Sequence, residues 1–171
     1  MAFPSRPRTF KLENCRDLYN KLQREIDRFT GDRTNPLVLA DHAFNVVVTA
    51  WHLCDWVFAD LTPELKSKLQ IKTLADLQSQ ARKCRALHLC QQAANASKHW
   101  AVEQKYRDPN VDVIVAIAPV RKPEDIHAPP KFEGYFKDGP DFIEAEKVFN
   151  EALNFWTQFI YQNEIAAVET P

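Results

Sequence analysis

The amino-acid sequence predicts a mainly α-helical fold, an up-and-down bundle of four to five helices with a β-hairpin inserted at about residues 111–137. Three features support this prediction. Only 3 of the 171 residues are Gly, and residues that favour helices, such as Leu, Ala, Lys, Glu and Gln, are common. Apolar residues recur every three or four positions over long segments, as in amphipathic helices. One later segment alternates β-branched residues, as strands do.

The first two helices are predicted from their caps and apolar faces. Asn14 is a suitable N-cap and Gly31 a suitable C-terminal end, so the first helix should lie between them. The second helix, at about residues 36–59, is apolar nearly all round. Such a helix is typical of the centre of a domain.

Three further helices complete the predicted bundle. Thr62 before Pro63 indicates a short helix that ends near Leu69. A third long helix is predicted from Thr73 towards His99, because Thr73 can cap it. The last helix is predicted to open at Pro140-Asp141. Its buried face should contain Phe142, Ala145, Phe149, Ala152, Trp156, Phe159 and Ile160.

The predicted hairpin lies between the last two long helices. Val111–Ala118 and Lys131–Phe136 alternate in the manner of strands, and a proline-rich segment separates them. Long loops in compact domains are often functional, so the hairpin is a candidate surface for docking a partner.

The chain is expected to form one domain over residues 1–171, because its length is near the common size of a domain and no repeat or linker interrupts it. Residues 1–11 are expected to be a loose N-terminal arm and residues 164–171 a frayed tail. Cys15, Cys54, Cys84 and Cys90 form no CxxC pair, and we expect reduced thiols in the core and no cofactor.

Composition narrows the classes of function. The net charge of −1 argues against a broad phosphate-binding surface, because nonspecific affinity for nucleic acid depends on cations that neutralise phosphates. No stretch approaches the roughly 20 apolar residues of a membrane helix. No apolar run follows the basic start of the chain, so it does not resemble a secretory signal. We therefore expect a cytoplasmic protein with no membrane partner.

Two stripes of polar residues stand out on the predicted helices. Both have helical spacing, so each lies along one side of its helix, and the stripes can face each other if the helices pack side by side. The second helix carries His42, Asn45, Thr49, His52 and Asp55. The third long helix carries His88, Gln92, Asn95 and His99, with Arg82, Arg85 and Lys98 close by.

Two interpretations of the stripes follow from the residues themselves. The first is an internal hydrogen-bond network in which Asp55 orients His52 or His88, because buried polar groups need partners. The second is a metal site built from His52, Asp55 and His88, which could hold zinc, iron or manganese inside a bundle.

A third interpretation comes from a family resemblance. The segment AANASKH at residues 93–99 resembles the signature of the HEPN superfamily of helical bundles, in which an Arg, usually followed by Asn, precedes a His by a short interval. Asn95 and His99 match that spacing, and Ala94 stands at the position of the Arg. The resemblance covers mainly residues 73–100 and the bundle architecture.

The resemblance implies a chemistry for these residues. Active HEPN domains are metal-independent ribonucleases that usually dimerise across a composite cleft, in bacterial defence or toxin-type systems. By resemblance, His99 would be the general acid or base, Asn95 would orient it and Lys98 would supply charge. Arg82 and Arg85 are both candidate replacements for the missing Arg: Arg85 lies well upstream of His99, and Arg82 precedes His88 at an allowed interval but without the Asn. Many members of the superfamily lack the catalytic pair and bind partners instead.

The preferred prediction is therefore a HEPN-like domain that binds RNA or a nucleotide, with metal-independent ribonuclease activity as its chemistry and a homodimer or a protein as partner. One alternative is a non-catalytic interaction or regulatory domain that docks through its hairpin. The other is a metal-binding bundle enzyme.

Overall fold

The computed structural model describes residues 10–31, 33–98, 108–112, 118–120 and 131–166. It confirms a mainly helical bundle with an inserted hairpin. The described residues form six helices, α1 Cys15–Gly31, α2 Pro36–Asp60, α3 Pro63–Lys68, α4 Leu74–Ala81, α5 Arg85–Lys98 and α6 Ala145–Gln162. They also form five short strands, β1 Val111–Asp112, β2 Ala118–Val120, β3 Lys131–Glu133, β4 Tyr135–Asp138 and β5 Asp141–Glu144.

Helices α1 and α2 form an antiparallel pair. The side chain of Asn14 caps α1 by accepting hydrogen bonds from the backbone N–H groups of Arg16 and Asp17, as predicted. At one end of the pair the backbone N–H of Cys15 donates to Asp60 Oδ2 over 2.6 Å. The contact fixes the start of α1 against the end of α2.

Helix α6 runs antiparallel to α1 and closes the core. The hydroxyl of Tyr19 lies 2.7 Å from that of Thr157, and the Phe29 and Phe149 rings meet edge to face at 5.0 Å. Trp156 is fully buried, and its indole N–H donates to the carbonyl of Ala50 on α2 over 2.9 Å. Helices α1, α2 and α6 therefore share one core.

Helix α5 packs on α2. Burial raises the pKa of Cys54 to about 12, and the charge of Arg82 acts in the opposite sense. Arg82, just before α5, therefore lies near Cys54 of α2.

The strands form two small antiparallel sheets. One has the order β1-β4-β5 and the other pairs β2 with β3. Phe136 of β4 is buried and meets Phe149 of α6 edge to face at 5.9 Å, so the three-stranded sheet packs on the bundle. The predicted strand at residues 111–118 is thus divided between two sheets, and residues 113–117 lie outside the described residues.

Two predicted helix boundaries were wrong. The long helix predicted from Thr73 ends at Ala81 and restarts at Arg85, because Lys83 and Cys84 donate to carbonyls only three residues back and tighten the turn. The last helix begins at Ala145, because Asp141–Glu144 pair with β4 as β5. Phe142 accordingly lies on a strand and is 61% exposed, not on a buried helix face.

The predicted tail is also packed in its described part. Ile165 is fully buried, and its backbone N–H donates to Ile160 O over 3.0 Å. Arg16 Nε donates to Ile165 O over 2.8 Å, which ties this segment to α1. The prediction of fraying was therefore wrong at Ile165, because an apolar side chain there completes the core.

Candidate functional site

One face of α5 carries a cluster of charged and polar groups. Arg85 donates two hydrogen bonds to the Asp138 carboxylate, one of them from Nε to Oδ2 over 2.7 Å and the other from Nη2 to Oδ1. Its Nη1 also donates to Asp108 Oδ2 over 3.3 Å. One guanidinium therefore joins α5 to the end of β4 and to the segment before β1.

The cluster continues along the same helix face. His88 Nε2 lies 2.8 Å from Asp108 Oδ2, and Gln92 Oε1 accepts from the backbone N–H of Asp108 over 3.2 Å. We call Arg85, His88, Gln92, Asp108 and Asp138 the Arg85 cluster. It joins two turns of α5 to the chain segment around Asp108 and to the end of β4.

The charges of the Arg85 cluster compensate one another. Hydrogen bonds from Arg85 lower the pKa of Asp138 and reciprocally raise that of Arg85. The pKa of Asp108 is lowered first by the backbone N–H of Asn110 and then by His88 and Arg85. Because Arg85 serves two carboxylates, the cluster offers an incoming phosphate no unpaired cation of its own.

The resemblance to HEPN domains concerns the C-terminal end of the same helix. Ala94, at the position of the missing Arg, is fully buried, and Asn95 is half-buried. Lys98 ends α5, but its side chain and the whole of His99 lie outside the described residues. Ten residues of helix put Arg85 about 15 Å from Asn95 along the axis. Arg85 is thus too far away to act with Asn95 on one phosphate.

The two predicted polar stripes are not joined through Asp55 and His88. On α2, Thr49 is buried and accepts a hydrogen bond from Lys21 of α1 over 3.0 Å. Asp55 is exposed to solvent, whereas His88 binds Asp108. The predicted pairing of Asp55 with His88 is therefore wrong, because the His88 ring is taken by Asp108 and the Asp55 carboxylate lies in solvent.

The predicted metal set does not assemble either. Within the part of the chain that the structure describes, no three His, Cys, Asp or Glu side chains come close enough to hold a metal ion. His52, Asp55 and His88 therefore do not form a ligand set, and His88 is occupied by Asp108.

A second polar network lies between α1 and α2. Glu25 is 4% exposed, and its Oε1 accepts from Lys21 over 3.1 Å and from Arg28 over 2.8 Å. Burial alone would raise the pKa of Glu25, but these two cations outweigh it and lower the pKa. Glu25 Oε2, His42 Nδ1 and Gln91 Oε1 are buried with no hydrogen-bond partner among the described residues.

The cysteines are free thiols, as predicted. Cys15, Cys54 and Cys90 are buried, and Cys84 is half-buried. Burial raises the pKa of both Cys15 and Cys90 above the usual thiol value, which favours the protonated thiol over the thiolate.

Sequence reasoning did not detect an exposed strip on α2. Leu37 is 76% exposed and Phe44 is 50% exposed, and they lie two helical turns apart. Half-buried or exposed residues continue the strip at the same helical spacing. We call this strip the open face of α2, and it consists of Leu37, Asp41, Phe44, Val48, His52 and Asp55.

Helix α2 is also long and apolar enough, by length and composition alone, to cross a membrane. Half of its most apolar window is buried inside the fold, as in the core helix of a globular protein, so the feature is weak evidence for a membrane. The expected absence of a membrane partner stays a prediction.

Comparison with known proteins adds no relative. No protein-family model, no curated protein and no solved structure matches this chain.

Proposed function

We propose that this chain is a helical interaction domain that binds a protein partner through the open face of α2. The observation that carries the proposal is the exposure of Leu37 and Phe44 on the longest and most apolar helix of the bundle. Neighbouring exposed apolar side chains on one helix face are typical of binding surfaces, whereas single ones are ordinary.

The Arg85 cluster supports a binding role more than a catalytic one. Its cation and carboxylates are used to join α5 to the strands. The buried Ala94 stands where the HEPN motif has its Arg, and a developing phosphate charge needs a fixed cationic donor.

The part of the predicted hairpin that the structure describes is engaged with the bundle at Phe132, and residues 113–117 and 121–130 lie outside the described residues. Phe132 of β3 is half-buried against the core, and its backbone N–H donates to Arg33 O over 2.8 Å. Leu37 and Phe44 have no such engagement with the described residues.

The test is photo-cross-linking in the native cells of the protein. A benzophenone amino acid replaces Phe44 in one variant and the exposed Gln23 of α1 in a matched control. We expect a discrete protein adduct from position 44 and none from position 23. No protein adduct from position 44, or the same adducts from both positions, would overturn the proposal.

A second function is favoured by Asn95. This residue is half-buried near the end of α5 and matches the Asn of the HEPN signature. The second candidate function is therefore the binding of RNA or a nucleotide, with metal-independent cleavage at His99. It is tested by RNA cleavage with and without EDTA, using His99→Ala and, as a matched control, His42→Ala. Cleavage that survives EDTA and is lost only in His99→Ala would make it the leading function. If the wild-type protein cleaves none of the RNAs used, ribonuclease activity on those RNAs is contradicted.

A further inference from the structure

We infer that the open face of α2 binds an amphipathic helix whose flanking residues are basic. The inference rests on the proposed function and adds the shape and charge of the partner. It follows from the spacing of the exposed residues and from the sign of the charges among them. It follows also from the like charges that a second copy of the chain would place opposite this face.

The spacing of the open face fits a helical partner. Leu37, Asp41, Phe44 and Val48 are separated by four, three and four residues, so they form a ridge nearly parallel to the helix axis. From Leu37 to Asp55 the ridge is about 27 Å long. A partner helix of about five turns would cover it, with its apolar residues against the N-terminal half.

The charges on the open face are of one sign. Helix α2 contains no Lys or Arg, and Asp41 and Asp55 are both exposed on this face. The remaining acid of the helix, Asp60, accepts the backbone N–H of Cys15. A partner that complements the face therefore places Lys or Arg beside Asp41 and Asp55, around an apolar centre.

A second copy of the chain complements the face poorly. If two copies packed antiparallel across Val48, Asp41 of one copy would lie opposite Asp55 of the other. If they packed parallel, each Asp would lie opposite its own equivalent. Both two-fold arrangements juxtapose like charges, which opposes association.

A lipid bilayer complements the face poorly as well. Leu37 and Phe44 could enter hydrocarbon, but Asp41 and Asp55 lie on the same strip and would follow them. Carboxylates in a bilayer are costly unless they find partners there.

The test uses two synthetic helical peptides of 18 residues with identical Leu positions, one flanked by Lys and the other by Glu. Each labelled peptide is titrated with the full chain, and binding is followed by fluorescence anisotropy. We expect the Lys peptide to bind at least about tenfold more tightly than the Glu peptide, with an affinity that falls as salt increases.

Four variants assign the binding to the open face. Leu37→Ser and Phe44→Ser should each lower the affinity for the Lys peptide about tenfold or more. The double variant Asp41→Asn with Asp55→Asn should bring the two peptides to similar affinity. The matched control is Phe142→Ser, because Phe142 on β5 is also an exposed apolar residue. This variant should bind the Lys peptide with the affinity of the wild type. Circular dichroism should show that all variants stay folded.

Several results would overturn the inference. These are equal affinity for the two peptides, no binding of either, or binding that is unchanged in Phe44→Ser. A concentration-dependent dimer that Phe44→Ser abolishes would assign the face to a second copy. Binding to phosphatidylcholine vesicles that requires Phe44 would assign it to a membrane. If a protein adduct forms at position 44 but the chain does not prefer the Lys peptide, this inference fails and the proposed function stands. If no adduct forms and the Lys peptide is not preferred, the proposed function fails as well.

Discussion

Arg85 connects three parts of the chain that are distant in sequence. It lies in the first turn of α5, and its carboxylate partners are 23 residues away at Asp108 and 53 residues away at Asp138. Hydrogen bonds between charged groups contribute more than neutral ones, and a guanidinium can bind a carboxylate through two nitrogens, as it does here. The side chain is 44% exposed, so solvent weakens the interaction.

Replacing Arg85 by Ala should destabilise the protein. We expect the free energy of unfolding to fall by about 1–2 kcal/mol, because two neighbouring carboxylates lose their shared cation. Urea denaturation followed by circular dichroism measures the change. The matched control is Arg24→Ala on the exposed side of α1, which should change stability by less than about 0.5 kcal/mol. A similar effect of both substitutions would show that the Arg85 cluster contributes nothing specific.

The stability should also depend on pH through Asp138 and Asp108. Both carboxyls have a pKa below the usual value of 3.8 in the folded protein. They bind protons more readily when unfolded, so their stabilisation is present above that value and is lost as the pH falls through their folded pKa. Urea midpoints between pH 5 and pH 2 should therefore decrease.

The contribution of Asp138 to this decrease should disappear in Arg85→Ala, because Arg85 is the main cause of its lowered pKa. The contribution of Asp108 should persist in part, because the backbone N–H of Asn110 remains. An identical pH dependence in the wild type and in Arg85→Ala would contradict this assignment.

Among the elements, the three-stranded sheet packs on the bundle through one side chain of each strand, Val111 of β1, Phe136 of β4 and Ile143 of β5. Phe136 is 1% exposed and contacts Phe149 of α6, whereas Phe142 on the adjacent strand is 61% exposed. Gly134, just before β4, lies close to the start of α6, because a Cβ there would be 3.3 Å from the Cβ of Ala145 and 3.4 Å from the Phe29 ring. The register of β4 therefore decides which aromatic ring enters the core.

The two phenylalanines should respond differently to truncation. Phe136→Ala should lower the free energy of unfolding by about 3–5 kcal/mol, because it removes a buried ring and leaves a cavity. Phe142→Ala should change it by less than about 0.5 kcal/mol. Thermal unfolding of both variants measures the difference. Equal losses would mean that the sheet does not pack on α6 through Phe136.

At the scale of the whole molecule, helices from both ends of the chain contribute to one cluster of buried side chains. Trp156 near the C-terminus donates to Ala50 in the central helix, and Arg16 in the first helix holds the carbonyl of Ile165. Such interleaving makes it difficult for one part to unfold while the rest stays native.

Unfolding should accordingly be a single cooperative transition. We expect far-ultraviolet circular dichroism, which reports helices, and the fluorescence of the four tryptophans, which include the buried Trp51 and Trp156, to give the same urea midpoint. Two separated midpoints would contradict the expectation of one domain.

Much of the helical architecture could be predicted from the sequence. Caps and apolar repeats depend on residues within a few positions of one another, so they can be recognised before the fold is known. Examples are the cap at Asn14 and the Thr62-Pro63 start of α3. The break between Ala81 and Arg85 was not predicted, because the apolar repeat continues across it. The pairing of β5 was missed because Pro140-Asp141 also fits the start of a helix.

The candidate site could be predicted only in part. That Arg85, His88 and Gln92 share one face of a helix follows from their spacing along the chain, because helical periodicity sets that relation. Their pairing with Asp108 and Asp138, the exposure of Asp55 and the exposure of Leu37 and Phe44 are visible only in the folded chain. Caps and periodicity act over a few residues of one helix, whereas partners and burial depend on which distant segments the topology brings together.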